Sequence, residues 1–297
     1  MAKLSEFGDA DALENRYVDK VIVYVEGDGD QRLFTNVVGP DVADRLEFKT
    51  PAESTGGCGF VVARVKAERQ SNEKIFGLVD GETAASHGGT DAPLECRRLM
   101  FALPGEPGLD GVFFLSAHEV ENLILLYGGI YELIPKNVRL ASQGEFDGAQ
   151  VRESVLKLTK RFFVAALLKY ASLHVAAVGG PMITVKGGKF VDNPPSTTAL
   201  LLELKARVKA EGGDWEVYRD EMRRIIKALR LQFRAEALSA EARADHFIRL
   251  TDGKNLLLGL RKIYKQAPHD ALLADALTQP PYSDRFRTEL LELTQAA

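Results

Sequence analysis

Val21 to Val25 (VIVYV) is a short β-branched run between polar residues, closed by Gly27, and predicts a buried strand. EGDGD behind it supplies turn residues, with Asp30 placed to cap a helix in which Leu33, Phe34, Val37 and Val38 recur at helical spacing. The unit then returns. Leu46 to Lys49 predicts a second strand, Gly56, Gly57 and Gly59 a turn, and FVVARVKAERQ an amphipathic helix. Ile75 to Val79 (IFGLV) predicts a third strand ending in Asp80-Gly81-Glu82, and Val112 to Leu115 a fourth, before SAHEVENLILLYGGIYELI opens a helix at Ser116. Strands alternating with helices imply parallel pairing through right-handed crossovers, hence an α/β sheet covered on both faces. Thr83 to Pro93, polar and Gly-rich, reads as a long binding loop.

From about residue 150 the periodicity is helical. VRESVLKLTKRFFVAALLKYASLHVAAV, TTALLLELKARVKAEGG and VYRDEMRRIIKALRLQFRAEAL each carry an amphipathic pattern, and Asp252 to Tyr264 and the chain end read as further helix, broken at Pro280-Pro281. Between the first two, Ile183 to Asp192 reads as a small hairpin around Gly187-Gly188. The expected organisation is an α/β domain over residues 1–130 and a helical, basic region over 131–297 that packs back on it.

Composition is that of an ordinary globular protein, with 45% apolar and 27% charged residues, so it leaves the fold to the pattern. Charge changes the picture more. Residues 1–150 hold 14 Lys+Arg against 25 Asp+Glu, and residues 151–297 hold 24 against 17, so a net −11 faces a net +7. An acidic half suits divalent cations and a basic half suits a polyanion such as nucleic acid; segregated solvated faces are the plainer reading. Cys58 and Cys96 lack zinc or disulfide spacing. The opening MAKLSEFGDADALENRY has no basic start and apolar run, and no stretch matches a membrane span, which predicts a cytoplasmic protein with no membrane partner.

In an open parallel sheet, ligands bind beyond the carboxyl ends of the strands. Glu26 ends the first strand, and Asp80 and Glu82 end the third, where residues at i and i+2 of an extended segment share a side. Carboxylates converging on one edge repel unless a cation neutralises them, and oxygen-only ligands favour Mg2+ or Mn2+ over zinc.

VYVEGDGDQRLF followed by FGLVDGE resembles the first two motifs of Toprim domains, in which a strand-terminal Glu precedes an Asp-x-Asp pair; here Glu82 stands in place of the second Asp. Ser116 to Asn122 (SAHEVEN) and Asp252-Gly253-Lys254 are similar to the OLD-related bacterial Toprim nucleases, and among these to the AriB-type effectors of PARIS phage-defence systems. That resemblance implies a Toprim-like, Rossmannoid parallel sheet followed by a mainly helical region. It implies a nuclease acting on RNA, possibly tRNA, or DNA, with Glu26 as metal ligand or general acid/base and Asp80 and Glu82 as metal ligands. A separate ATPase partner and a homodimer are implied as well.

The remaining residues carry two readings each. Glu121 is a further metal ligand or a solvated carboxylate, and His118, three residues earlier on the expected helix, is a proton shuttle or a backbone hydrogen-bonding group. Glu119 lies three residues beyond Ser116, which reads as a capping box in preference to a metal ligand. Lys254 opposes a helix dipole, for which an adjacent scissile phosphate would supply a reason; a plain surface lysine is the equal alternative. Arg223, Arg224, Lys227, Arg230 and Arg234 either track a phosphate backbone or form a wet helix face. Gly56 to Gly59 is a weak anion-site candidate, and Asp28 reads mainly as a turn residue. No GxxxxGK[ST], GxSxG or HExxH occurs, which leaves P-loop ATPase, serine hydrolase and zinc protease readings without support. The rival readings are a receiver-like module phosphorylated on Asp80 and a non-catalytic regulatory module.

Overall fold

β-branched and aromatic runs build the sheet. In the computed structural model, which describes residues 20–51, 57–87, 98–103, 105–127, 129–137, 147–183, 196–264, 276, 278 and 282–293, the strands are β1 (Val21–Val25), β2 (Leu46–Lys49), β3 (Ile75–Val79), β4 (Met100–Ala102) and β5 (Val112–Leu115). They form one five-stranded sheet in the order β2-β1-β3-β5-β4. β1 pairs parallel with β2 and β3, and β3 parallel with β5, in the register Val25 to Leu78 and Val79 to Phe114. The fold class is therefore α/β with a largely parallel sheet, as the alternation of patterns required. β1 and β3 are buried at every position, which explains why their sequences are apolar throughout instead of alternating.

The chain divides into two compact units. The first comprises residues 1–79, 102–114 and 284–297. Here α1 (Asp28–Val38) buries Leu33, Phe34, Val37 and Val38, and Phe34 stacks on Phe286 of the C-terminal helix at 5.4 Å. Helix α1 starts at Asp28 with Gly27 as its cap, so Asp30 is not the N-cap that its spacing predicted; it lies in the first turn, and Asp28 accepts a bond from Thr50 Oγ1 at 3.2 Å. Helix α2 (Cys58–Glu68) packs on β3 so closely that a Cβ on Gly77 would stand 2.9 Å from Val61 and from Val65. Tyr24, buried in β1, donates to Glu68 Oε2 at 3.0 Å, and burial pushes its hydroxyl up to about 12.

The second unit comprises residues 80–101 and 115–283. Its axis is α5 (Gly148–Ala177), a 30-residue helix capped by Asp147 through a reciprocal capping box with Gln150. Helices α3 (Val120–Tyr127), α4 (Ile130–Asn137), α6 (Thr197–Ala210), α7 (Trp215–Ala235), α8 (Ala240–Leu250) and α9 (Gly253–Tyr264) surround or adjoin it. The remaining helix, α10 (Tyr282–Glu292), carries Phe286. The α8 helix was not separated from its neighbours by the sequence pattern. Gly81 to His87, expected as loop, is a 3-10 turn with Thr83, Ala84 and Ala85 buried, and the rest of that loop lies outside the described residues. So do the expected hairpin beyond Ile183, the Pro280-Pro281 break, and Cys96. Among the described residues no helix is long and apolar enough to cross a membrane.

Candidate functional site

Three backbone segments of the second unit meet side by side. Behind β5, residues 116–118 lie between the 80–82 segment and the end of α8: Gly81 N–H donates to Ala117 O at 3.1 Å, Glu82 N–H to His118 O at 3.2 Å, and His118 N–H to Arg249 O at 2.8 Å. Only glycine fits at position 81, where a Cβ would come within 2.1 Å of Leu115 O and 2.2 Å of Ala117 O. Gly253 does the same for the start of α9, since its Cβ would meet Asn122 N and Oδ1 at 2.8 Å. Two glycines thus let acidic segments far apart in sequence approach backbone to backbone.

Asn122 locks this arrangement. Fully buried, it donates through Nδ2 to Ile248 O at 2.7 Å and Thr251 O at 2.6 Å, and accepts from Glu119 N–H at 3.0 Å. Arg249, also buried, donates to Ser116 O at 3.1 Å, to Ser116 Oγ at 2.9 Å and to Tyr127 Oη at 2.7 Å. Ser116 Oγ is therefore engaged by an arginine, α3 starts at Val120, and the capping box expected for Ser116 and Glu119 does not form. His118 likewise precedes the helix and does not share a helical face with Glu121.

The side chains on these segments form one charged cluster. Glu82 Oε2 lies 3.0 Å from His118 Nε2 and is ion-paired with Lys169 of α5. Glu119 Oε2 lies 3.0 Å from Lys254 Nζ, Glu119 Oε1 accepts the Lys254 N–H at 2.7 Å, and Glu121 Oε1 is 3.9 Å from the same ammonium. Asp80 is close enough to raise the Lys254 pKa, and Asp252 close enough to raise that of Lys169. Burial alone would push the Glu119 carboxyl up, but the charges of His118 and Lys254 and the bonds from Lys254 outweigh it and hold it at about 2. Asp252 moves the other way, raised by burial and by the negative charge of Glu119. The Tyr170 hydroxyl is driven well up by burial and then by Glu82, Glu119 and Asp80. Its ring lies 5.5 Å from that of His118.

Five carboxylates (Asp80, Glu82, Glu119, Glu121, Asp252) are thus gathered around two ammonium groups (Lys169, Lys254), with the Arg249 guanidinium and the His118 ring beside them. Two buried polar atoms, His118 Nδ1 and Tyr170 Oη, have no hydrogen-bond partner among the described residues, and each orphaned group of this kind costs about 1–3 kcal/mol. The donor set is all oxygen, its negative charge exceeds the local positive charge, and the orphaned groups would be satisfied by a hydrated guest. In donor chemistry and charge this fits a hard divalent cation. As they stand, no three His, Cys, Asp or Glu side chains among the described residues are arranged as a ready-made metal site.

Asp80, Glu82, His118, Glu121 and Lys254, all singled out by sequence, fall within this one cluster. Glu26 belongs to the first unit, half-buried directly behind β1, where its carbonyl accepts the Gly57 N–H at 3.3 Å. That bond uses one of the amides offered by the glycine turn before α2. On α7, Arg223 pairs with Asp220 and Arg224 with Glu221, whereas Lys227, Arg230 and Arg234 are exposed and form no ion pair with a described residue. Sequence reasoning missed Lys169, Tyr170, Arg249 and the role of Asn122, and gave Asp252 no task. A signal existed for the first: Lys169 is the single charge in the apolar stretch Phe162 to Val175 until His174.

No protein-family model matches the chain, and no curated protein matches it.

Proposed function

We propose that the protein is a Mg2+- or Mn2+-dependent nuclease that hydrolyses phosphodiester bonds of RNA, possibly tRNA, or of DNA. The observation that carries the reading is the excess of carboxylate over ammonium charge in the cluster of Asp80, Glu82, Glu119, Glu121 and Asp252 around Lys169 and Lys254. The chain's own cations, Lys169, Lys254 and Arg249, are fewer than these carboxylates, and a recruited cation would offset the remainder. Asp80, Glu82 and Glu121 would hold the metal, and the Toprim resemblance of the sequence adds Glu26 as a metal ligand or general acid/base. When bound, such an ion lowers the pKa of water and offsets charge on phosphoryl oxygens.

The chain's own groups supply the remainder. Lys254, with its side chain 61% exposed, is the cation able to leave Glu119 and meet a phosphate, while Lys169 holds Glu82 in place. His118 Nε2, 3.0 Å from Glu82, is held where it can move a proton to or from that carboxylate's surroundings. The Toprim resemblance of the sequence further suggests the toxic effector of an anti-phage defence system, acting as a homodimer and governed by a separate ATPase.

The test is incubation of the purified protein, with Mg2+ or with EDTA, on total tRNA, single-stranded DNA and plasmid, beside Glu26→Ala. Cleavage should require the divalent ion and vanish in the variant while its circular dichroism stays unchanged. Cutting by a pure Glu26→Ala preparation at the parent's rate removes that residue from the mechanism, and cutting in EDTA removes the metal.

A further inference from the structure

Away from the acidic cluster, α5 and α8 enclose an apolar groove of about 440 Å³, walled by Leu156, Phe163, Ala244 and Phe247. The Phe163 and Phe247 rings stand edge to face, 4.9 Å apart at 83°, and Phe247 in turn stands 83° to Phe233 of α7 at 5.6 Å. Both wall rings remain half-exposed, so a flat guest can reach them.

The rim charge is one-sided. Lys160 and Arg243 line the groove, both exposed, and neither forms an ion pair with a described residue. Arg243 is steadied by its Nε bond to Leu238 O at 2.9 Å. The acids nearest on α8 are spoken for: Arg152 binds Asp245 at 2.8 Å and Glu241 at 3.4 Å, and on α5 Glu153 binds Lys157 at 2.8 Å. Helix α7, whose Phe233 backs the groove, presents Lys227, Arg230 and Arg234 on its exposed side. Aromatic faces set among uncompensated cations match the recognition chemistry of an unstacked nucleotide, in which the base meets the rings and the flanking phosphates meet the cations. A neutral lipid or an apolar protein helix would leave Lys160 and Arg243 with nothing to bind.

From this arrangement we infer that the groove is a second, non-catalytic subsite that takes one unpaired base of a single-stranded nucleic acid, with Lys160 and Arg243 on the phosphates either side. The inference rests on the nuclease reading for the class of polymer, and it assigns to that polymer a point of attachment separate from the carboxylates.

The experiment uses the full chain in EDTA, so that binding is read without hydrolysis. The probe is a short unstructured RNA bearing one fluorescent adenine analogue. Binding to the parent protein should quench the analogue. Phe163→Leu and Phe247→Leu, which keep apolar volume and remove the ring, should abolish the quench and weaken binding roughly tenfold. Lys160→Glu with Arg243→Glu, at exposed positions where the one described bond lost is that of Arg243 to Leu238 O, should weaken binding by at least about tenfold and flatten its salt dependence. A quench that survives both Leu variants overturns the subsite, as does competition by a blunt duplex as effective as that by the single strand, or affinity unchanged by the double charge reversal. The two readings fail separately: quenching without cleavage in Mg2+ sinks the nuclease, and cleavage with an unaltered quench in the Leu variants sinks the groove.

Discussion

Replacing Asn122 with Ala should destabilise the second unit severely, and the size follows from its three bonds. Ile248 O keeps a partner in the Thr251 N–H at 3.2 Å, so it is not orphaned. Thr251 O and Glu119 N–H lose the amide that satisfied them, at 2.6 and 3.0 Å respectively, inside a region from which water is excluded. At about 1–3 kcal/mol for each orphaned group the loss is roughly 2–6 kcal/mol, a large share of the 5–15 kcal/mol or so that holds a typical domain together. Asn122→Asp separates hydrogen bonding from packing. It conserves shape and still accepts from Glu119, but turns an oxygen toward two carbonyls and adds a charge beside Glu119 and Glu121, so it should cost at least as much as Ala. Urea unfolding followed by fluorescence of Trp215, the single tryptophan, reads the unit that contains it. A change below about 1 kcal/mol in both variants would refute the idea that this amide fastens α3 to the α8–α9 turn.

Two further outcomes test the same architecture. Gly81→Ala forces a Cβ to within 2.1 Å of Leu115 O, so it should lower stability by roughly 3 kcal/mol by overpacking against backbone that cannot yield; a parent-like urea midpoint would show that the close approach is not real. Because Glu119 is held at about 2 in the folded chain, below the value near 4.3 of an unfolded glutamate, its contribution is present above about pH 4.3 and is lost as pH falls toward 2. Asp252, raised in the folded chain, acts with the opposite sign and takes up its proton earlier. Urea midpoints measured between about pH 5 and pH 3 should therefore fall steeply for the parent and less steeply for Glu119→Gln. An identical slope in the two proteins would dismiss Glu119 as the group responsible.

The members of the cluster differed in how far they could be read from sequence, and the reason is physical. β1, β3 and β5 are apolar runs of four or five residues closed by turn chemistry, so their ends were visible, and the carboxylates placed there were visible with them. β4 has only three residues, Met100 to Ala102, too few to show alternation, and α8 reads AEARADHFIRL, too polar to stand out from its neighbours. The periodicity of α5 was plain, yet it says only that Lys169 lies on a helix. Its partner, Glu82, is far away in sequence, and no local rule joins the two. Ser116 and Glu119 show the converse error. Their spacing fits a capping box, but Arg249, 133 residues later, takes the serine oxygen and Lys254, 135 residues after Glu119, takes the carboxylate.

Those long-range pairings bear on how the cluster would work. A carboxylate fixed by a half-buried lysine cannot readily change partner, which is the position of Glu82 under Lys169. Glu119 and Glu121 face a lysine whose chain is mostly in solvent and whose ammonium can move out at little cost in contacts. On the proposed nuclease function, an incoming cation would displace Lys254 and leave Lys169, freeing one positive charge for a phosphate. The strand ends supply the negative charge, and the late helix supplies the movable counter-charge. That division requires the second half of the chain to be folded against residues 80–82, because Lys169 and Lys254 both come from it.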